Sequence, residues 1–144
     1  MFKPTKLLGM LTLIGCLSLN VSFAEQTAPT KCPILAASQF TWDTAMQNQG
    51  VWSVVQFKNR YNTDQEWTLF AAPVLASSEQ EAYAQATKLA PTLSLIEGPI
   101  ADRDEKGQQV WCCLYVGEEI FGIAITPPRD TTANRLMKFV RRHH

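Results

Sequence analysis

Residues 109–126 read QVWCCLYV, then GE, then EIFGIAIT, and no other stretch leaves the chain so few options. Glycine at Gly117 suits the first central position of a type II′ two-residue hairpin turn, which needs a positive φ there. Such a turn pairs Val116 with Glu119, and the remaining register follows from it. Leu114 is then opposite Phe121, Cys112 opposite Ile123 and Val110 opposite Ile125. On the reverse face Trp111 meets Ala124, Cys113 meets Gly122 and Tyr115 meets Ile120. The first face is apolar throughout and is assigned to the core. On the second, Trp111 and Tyr115 flank Cys113 opposite Gly122 and Ala124; a loop, the amino-terminal segment or a second subunit is expected to cover this face, and left bare it would form a flat apolar slot.

The amino-terminal segment has the pattern of an export signal. Lys3 and Lys6 precede an uncharged run from Leu7 to Leu19, and Ser22-Phe23-Ala24 offers small residues for cleavage after Ala24. A second reading takes Leu13-Ile14-Gly15-Cys16 as a lipobox, leaving a lipid anchor on Cys16; the apolar run continuing through Leu17, Leu19, Val21 and Phe23 argues against it. The run is shorter than the roughly 20 residues of a spanning helix, so no transmembrane span is expected. The expected organisation is a signal peptide, 1–24, and one domain, 25–144. Removing Lys3 and Lys6 from 13 basic residues leaves 11 against 13 acidic ones, a net charge near −2 that offers nucleic acid no attraction. Periplasmic or secreted localisation follows from this reading.

An oxidising compartment makes a disulfide the expected state of exported cysteines. Cys32, Cys112 and Cys113 remain after cleavage, so one is left over. Adjacent strand residues point to opposite faces, so only one of Cys112 and Cys113 meets Cys32 easily. The core assignment above selects Cys112. A loop of about 80 residues closed this way is worth roughly 4 kcal/mol in the chain-entropy account.

Further elements follow from local signals. Cys32-Pro33 opens a helix-like stretch, Ile34 to Phe40. Asn48-Gln49-Gly50 reads as a turn, and Val51–Phe57 and Glu66–Ala72 read as strands of a hairpin. Within the second, Trp67, Leu69 and Ala71 share one face, with Glu66, Thr68 and Phe70 on the other. Ser78 and Glu81 form a capping box for a helix from Glu79 to Ala90, ended by Pro91. Its stripe is Ala82, Tyr83, Ala86, Leu89 and Ala90. A short strand over Leu95–Ile100 is interrupted by Gly98-Pro99, and Ala101–Gln109 reads as a charged loop. After Pro127-Pro128, Asp130 caps a helix from Thr131 to Arg142 with Ala133, Leu136, Met137 and Val140 on its apolar face. The expected fold is α+β: an antiparallel sheet of about four strands with helices packed on one face, in the order α-β-β-α-β-β-α.

The only histidines are His143 and His144, so the folded part lacks the usual general base of serine and cysteine hydrolases. No nucleophile-elbow, zinc-protease or P-loop spacing occurs, no metal site is expected, and Asp102, Asp104 and Glu105 read as solvated loop carboxylates. These gaps weigh against an enzyme. The slot of Trp111, Cys113, Tyr115, Gly122 and Ala124 is the candidate ligand site, and Tyr115 and Cys113 are of types that ligate haem iron.

Cys32-Pro33, the Val51-Trp52-Ser53-Val54-Val55 strand, Glu66-Trp67-Thr68 and Trp111-Cys112-Cys113-Leu114-Tyr115 together resemble a small family of exported proteins of gram-negative intracellular pathogens, some named hemin-binding protein. The resemblance spans most of residues 25–144 and rests on structural aromatics and cysteines. It implies haem as a ligand but carries no ligating residue over. The resulting expectation is a non-catalytic exported binding protein for haem or another apolar planar ligand. The alternative is a secreted interaction module docking a host or bacterial protein through Trp111 and Tyr115. A third reading is a small hydrolase or redox protein using Cys113.

Overall fold

The computed structural model describes residues 27–36 and 38–128. The leader, Cys16, the helix expected after Asp130 and the terminal histidines lie outside the described residues. Strands β1 (Thr44–Asn48), β2 (Val51–Asn59) and β3 (Trp67–Leu75) form one antiparallel meander. Helix α1 (Glu79–Leu89) and a 3-10 turn (Ala90–Thr92) lead to a second meander, β4 (Ser94–Arg103), β5 (Gln109–Val116) and β6 (Phe121–Thr126). β3 pairs with β6, so the two meanders fuse into one sheet of order β1-β2-β3-β6-β5-β4.

The expected order of three helices and about four strands is therefore corrected: the described residues hold six strands and one α-helix. Ile34–Phe40 is not helical at its described positions. Ser38 N–H donates to Leu35 O and Ser38 Oγ–H to Ile34 O, closing a single turn that side-chain bonding does not propagate. Thr44–Asn48 is a strand that its polar composition concealed. It joins β2 through Gln49 and Gly50, both at positive φ (52° and 80°), the backbone of a type I′ hairpin turn. β4 continues through Gly98-Pro99 by bulging rather than stopping, with register shifts on both sides of Glu97. A further bulge, opposite Trp52–Val54, puts the extra residue on β3 at Ala72-Pro73, where Pro73 has no N–H for the ladder.

Helix α1 starts where the capping box places it. Ser78 Oγ accepts from Glu81 N–H at 3.1 Å, while the Glu81 carboxylate accepts from the backbone and hydroxyl of Ser77, one residue earlier than in the usual box. Those two bonds hold the Glu81 carboxyl below its ordinary range. Ala82, Ala86 and Ala90, one turn apart and fully buried, let the helix lie close on β1, β2 and β3. Trp42 Nε1–H donates to Thr87 Oγ1 from the segment before β1, and Phe40 stacks on Trp42 at 5.4 Å.

The sheet is apolar on both sides. One cluster gathers Trp67, Leu69, Ala71, Cys113, Tyr115 and Ala124 with α1, Leu93, Cys32 and Leu35. The other gathers Val55, Phe70, Val110, Cys112, Leu114, Ile123 and Ile125, all from strands. The alternation expected for Trp67, Leu69 and Ala71 against Phe70 holds.

Candidate functional site

The β5–β6 hairpin brings the nominated residues onto one face, but not in the expected register. Val116 pairs with Phe121, Cys113 with Ala124, Tyr115 with Gly122 and Trp111 with Thr126. The connection is Gly117–Ile120, two residues longer than a type II′ turn, closed by Gly117 N–H donating to Ile120 O. The left-handed residue is Glu119 (φ 59°), not Gly117. Gly117 is needed instead for close approach: a Cβ there would stand 2.5 Å from Thr92 Oγ1, which accepts from Glu118 N–H. The longer loop also seats Ile120 in the core. A shift of two residues preserves which side chains share a face, so the grouping survives while the pairing does not.

This face is covered. Cys113 and Ala124 are fully buried and Tyr115 and Gly122 are buried; Trp111 is half-buried. Leu93 fills the space above Gly122, where an added Cβ would lie 3.1 Å from Leu93 Cδ1. The slot between aromatics and small residues is occupied by the protein itself. Cys113, not Cys112, is bridged to Cys32, with Cα atoms 5.9 Å apart. The expected Cys32–Cys112 bridge is corrected because the amino-terminal segment crosses the Cys113 face; Cys112 is buried on the other. Tyr115 Oη–H donates to Pro33 O at 2.7 Å, and burial pushes its phenol well above the ordinary range. Both side chains that the sequence offers to a haem iron thus hold the amino-terminal segment down. Trp111 Nε1 is buried without a hydrogen-bond partner among the described residues.

One signal for this arrangement stands in the sequence. Neither face of β5 and β6 alternates with a charged residue, and strands apolar on both faces are covered on both. Gly98 is a second. At φ 130° it packs over the bridge, where a Cβ would lie 2.7 Å from Cys112 O and 3.0 Å from Cys32 Sγ.

Among the described residues Ile34 and Leu75 are the most exposed large apolar side chains, at separate places in the fold, while three others gather at one sheet margin. β4 is one of the two edge strands, and its consecutive Leu95 and Ile96 are 48 % and 55 % exposed. Val116, opposite Ser94 in the register, adds 36 %. Glu97, Glu118 and Glu119, all exposed, give this corner an acidic rim. Sequence reasoning placed a strand here but had no means of seeing that it ends the sheet.

Elsewhere, Asp104 Oδ1 accepts from Lys106 N–H and Gln108 N–H, and Asp102 Oδ1 from Arg103 N–H; these carboxylates build the β4–β5 turn. An open cleft of about 480 Å³ lies among Arg60, Gln65, Glu66, Thr126 and Pro127. Among the described residues no His, Cys, Asp and Glu group of three or more is placed to hold a metal ion, and no helix is long and apolar enough to cross a membrane. No protein-family model, curated protein or solved structure matches the chain.

Proposed function

We propose that this chain is a non-catalytic, exported binding domain, periplasmic or secreted, that presents its β4 margin to an extended segment of a partner protein. The observation that carries the reading is the exposure of Leu95 and Ile96, consecutive on the edge strand β4. An exposed apolar margin is a liability that proteins usually blunt, and strand addition is the recognition mode that uses it. Main-chain hydrogen bonds then supply affinity, and the Leu95, Ile96 and Val116 side chains supply selectivity. The acidic rim of Glu97, Glu118 and Glu119 favours a partner strand flanked by Lys or Arg. The leader pattern and the Cys32–Cys113 bridge support export. This reading keeps the interaction-module expectation but moves it from the Trp111–Tyr115 face, which is filled, to the margin.

The test uses a synthetic peptide of alternating valine and threonine with lysine at each end. Titration is expected to shift the amide resonances of Ser94 to Glu97 and Val116, with affinity falling as salt rises. Ile96→Lys is expected to remove the response while the bridge stays formed. Shifts confined to other elements, or equal affinity in Ile96→Lys, reject the proposal.

A further inference from the structure

The second apolar face of the sheet is buried by something other than the elements described so far. Val55, Phe70, Val110 and Ile125 are each no more than 3 % exposed, yet α1, Leu93 and the Cys32–Leu35 segment belong to the opposite cluster. The described members of this cluster, and the partly buried Met46, Phe57 and Ile100 packed against it, all come from strands. Side chains on a solvent-facing sheet surface do not reach such burial. We infer that residues 129–144 cover this face, docking Ala133, Leu136, Met137 and Val140 onto it.

Three observations select that segment. β6 lies inside the sheet between β3 and β5 and ends at Thr126, so the chain leaves beside Ile125 at one end of the inner strands. The four apolar residues recur at i, i+3, i+4 and i+7, with Arg135, Lys138, Arg141 and Arg142 off that stripe. A helix over 131–142 is about 18 Å long at about 1.5 Å per residue. A six-residue strand such as β6 spans about 20 Å at about 3.4 Å per residue, so the two match. Thr68 adds an independent sign. It is fully buried, pairs with Ile125 in the register, and its Oγ1 has no partner among the described residues. Buried hydroxyls are nearly always satisfied, and a covering segment would supply the partner. The rival occupants are residues 1–24 and a second copy of the chain.

Cys112 reports on the cover, because it is the thiol on this face. In the full chain, Ala133→Cys, Leu136→Cys, Met137→Cys and Val140→Cys are made singly, with Lys138→Cys and Arg141→Cys as controls. Under mild oxidation at least one stripe position is expected to form an intramolecular disulfide with Cys112, and neither control is. Ending the chain after Pro128 is expected to raise the rate of Cys112 alkylation by about tenfold or more. Crosslinks only between molecules would assign the face to a second copy and overturn the inference. So would a Cys112 protected in the chain from Met1 but reactive in the chain from Glu25, which would assign it to the leader. Absence of any stripe crosslink overturns it whether or not the shortened chain folds.

Discussion

Tyr115 Oη–H donates to the carbonyl oxygen of Pro33, two residues along β5 from the cysteine that is bridged to Cys32. The covalent bond and the hydrogen bond therefore clamp adjacent residues of the amino-terminal segment to alternate residues of one strand. Because residues i and i+2 of a strand share a face, the clamp closes on the α1 side of the sheet.

Removing the hydroxyl tests the second half of this clamp. Tyr115→Phe leaves the Pro33 carbonyl without its donor, and stability is expected to fall by about 1–2 kcal/mol in denaturant unfolding. The same variant bears on haem, the ligand that the sequence resemblance implies. With its phenol engaged and Cys113 in the bridge, neither residue is presented to an iron. If haem binds at all, its Soret spectrum is expected to be the same in Tyr115→Phe as in the parent. A spectrum altered by that substitution would show that this face opens to ligand.

The bridge has a larger expected effect. Cys32 and Cys113 are 81 residues apart, and opening a loop of that size forfeits about 4 kcal/mol in the chain-entropy account. Cys113→Ala is expected to show this loss and Cys112→Ala to keep the bridge. Alkylation of the chain from Glu25 without reductant should label no cysteine while folded and Cys112 alone in denaturant. Peptide mapping that found Cys112 joined to Cys32 would contradict the structure.

Alkaline pH provides a third test. Burial raises the phenols of Tyr61 and Tyr115 above their ordinary range, and the hydrogen bond from Tyr83 to Glu79 pushes Tyr83 up to about 12. These are all three tyrosines of the chain. Unfolded phenols ionise near about 10, so above that pH the unfolded state binds fewer protons than the folded one. The stability contribution is complete below about 10 and is lost as pH rises beyond it. Tyrosinate absorbance is expected to lag past the ordinary range and to rise together with loss of far-ultraviolet circular dichroism. Tyr61→Phe and Tyr115→Phe should each flatten the pH slope. Ionisation of Tyr115 near the ordinary value with the fold intact would refute this account.

Local chemistry was legible wherever a few neighbouring residues decide it. Ser78 and Glu81 announce the start of α1, Gln49-Gly50 the tight turn before β2, and period-two alternation the two faces of β3 and β5. A cysteine staple was legible from the leader pattern and the cysteine count. The margin at Leu95 and Ile96 was not, because a strand's own residues do not say whether another strand lies beside it.

Covalent tethering and face assignment divide along the same line. Alternation along β5 determined that Cys112 and Cys113 lie on opposite sides and that Trp111, Cys113 and Tyr115 stand together; both follow from backbone geometry within one strand. Which of those sides meets the amino-terminal segment was settled only by the tertiary structure. Both faces are apolar, so burial alone does not rank them. The choice falls to contacts distant in the chain: Pro33 on Tyr115, Leu93 over Gly122, and Gly98 making room for the Cys32 sulfur.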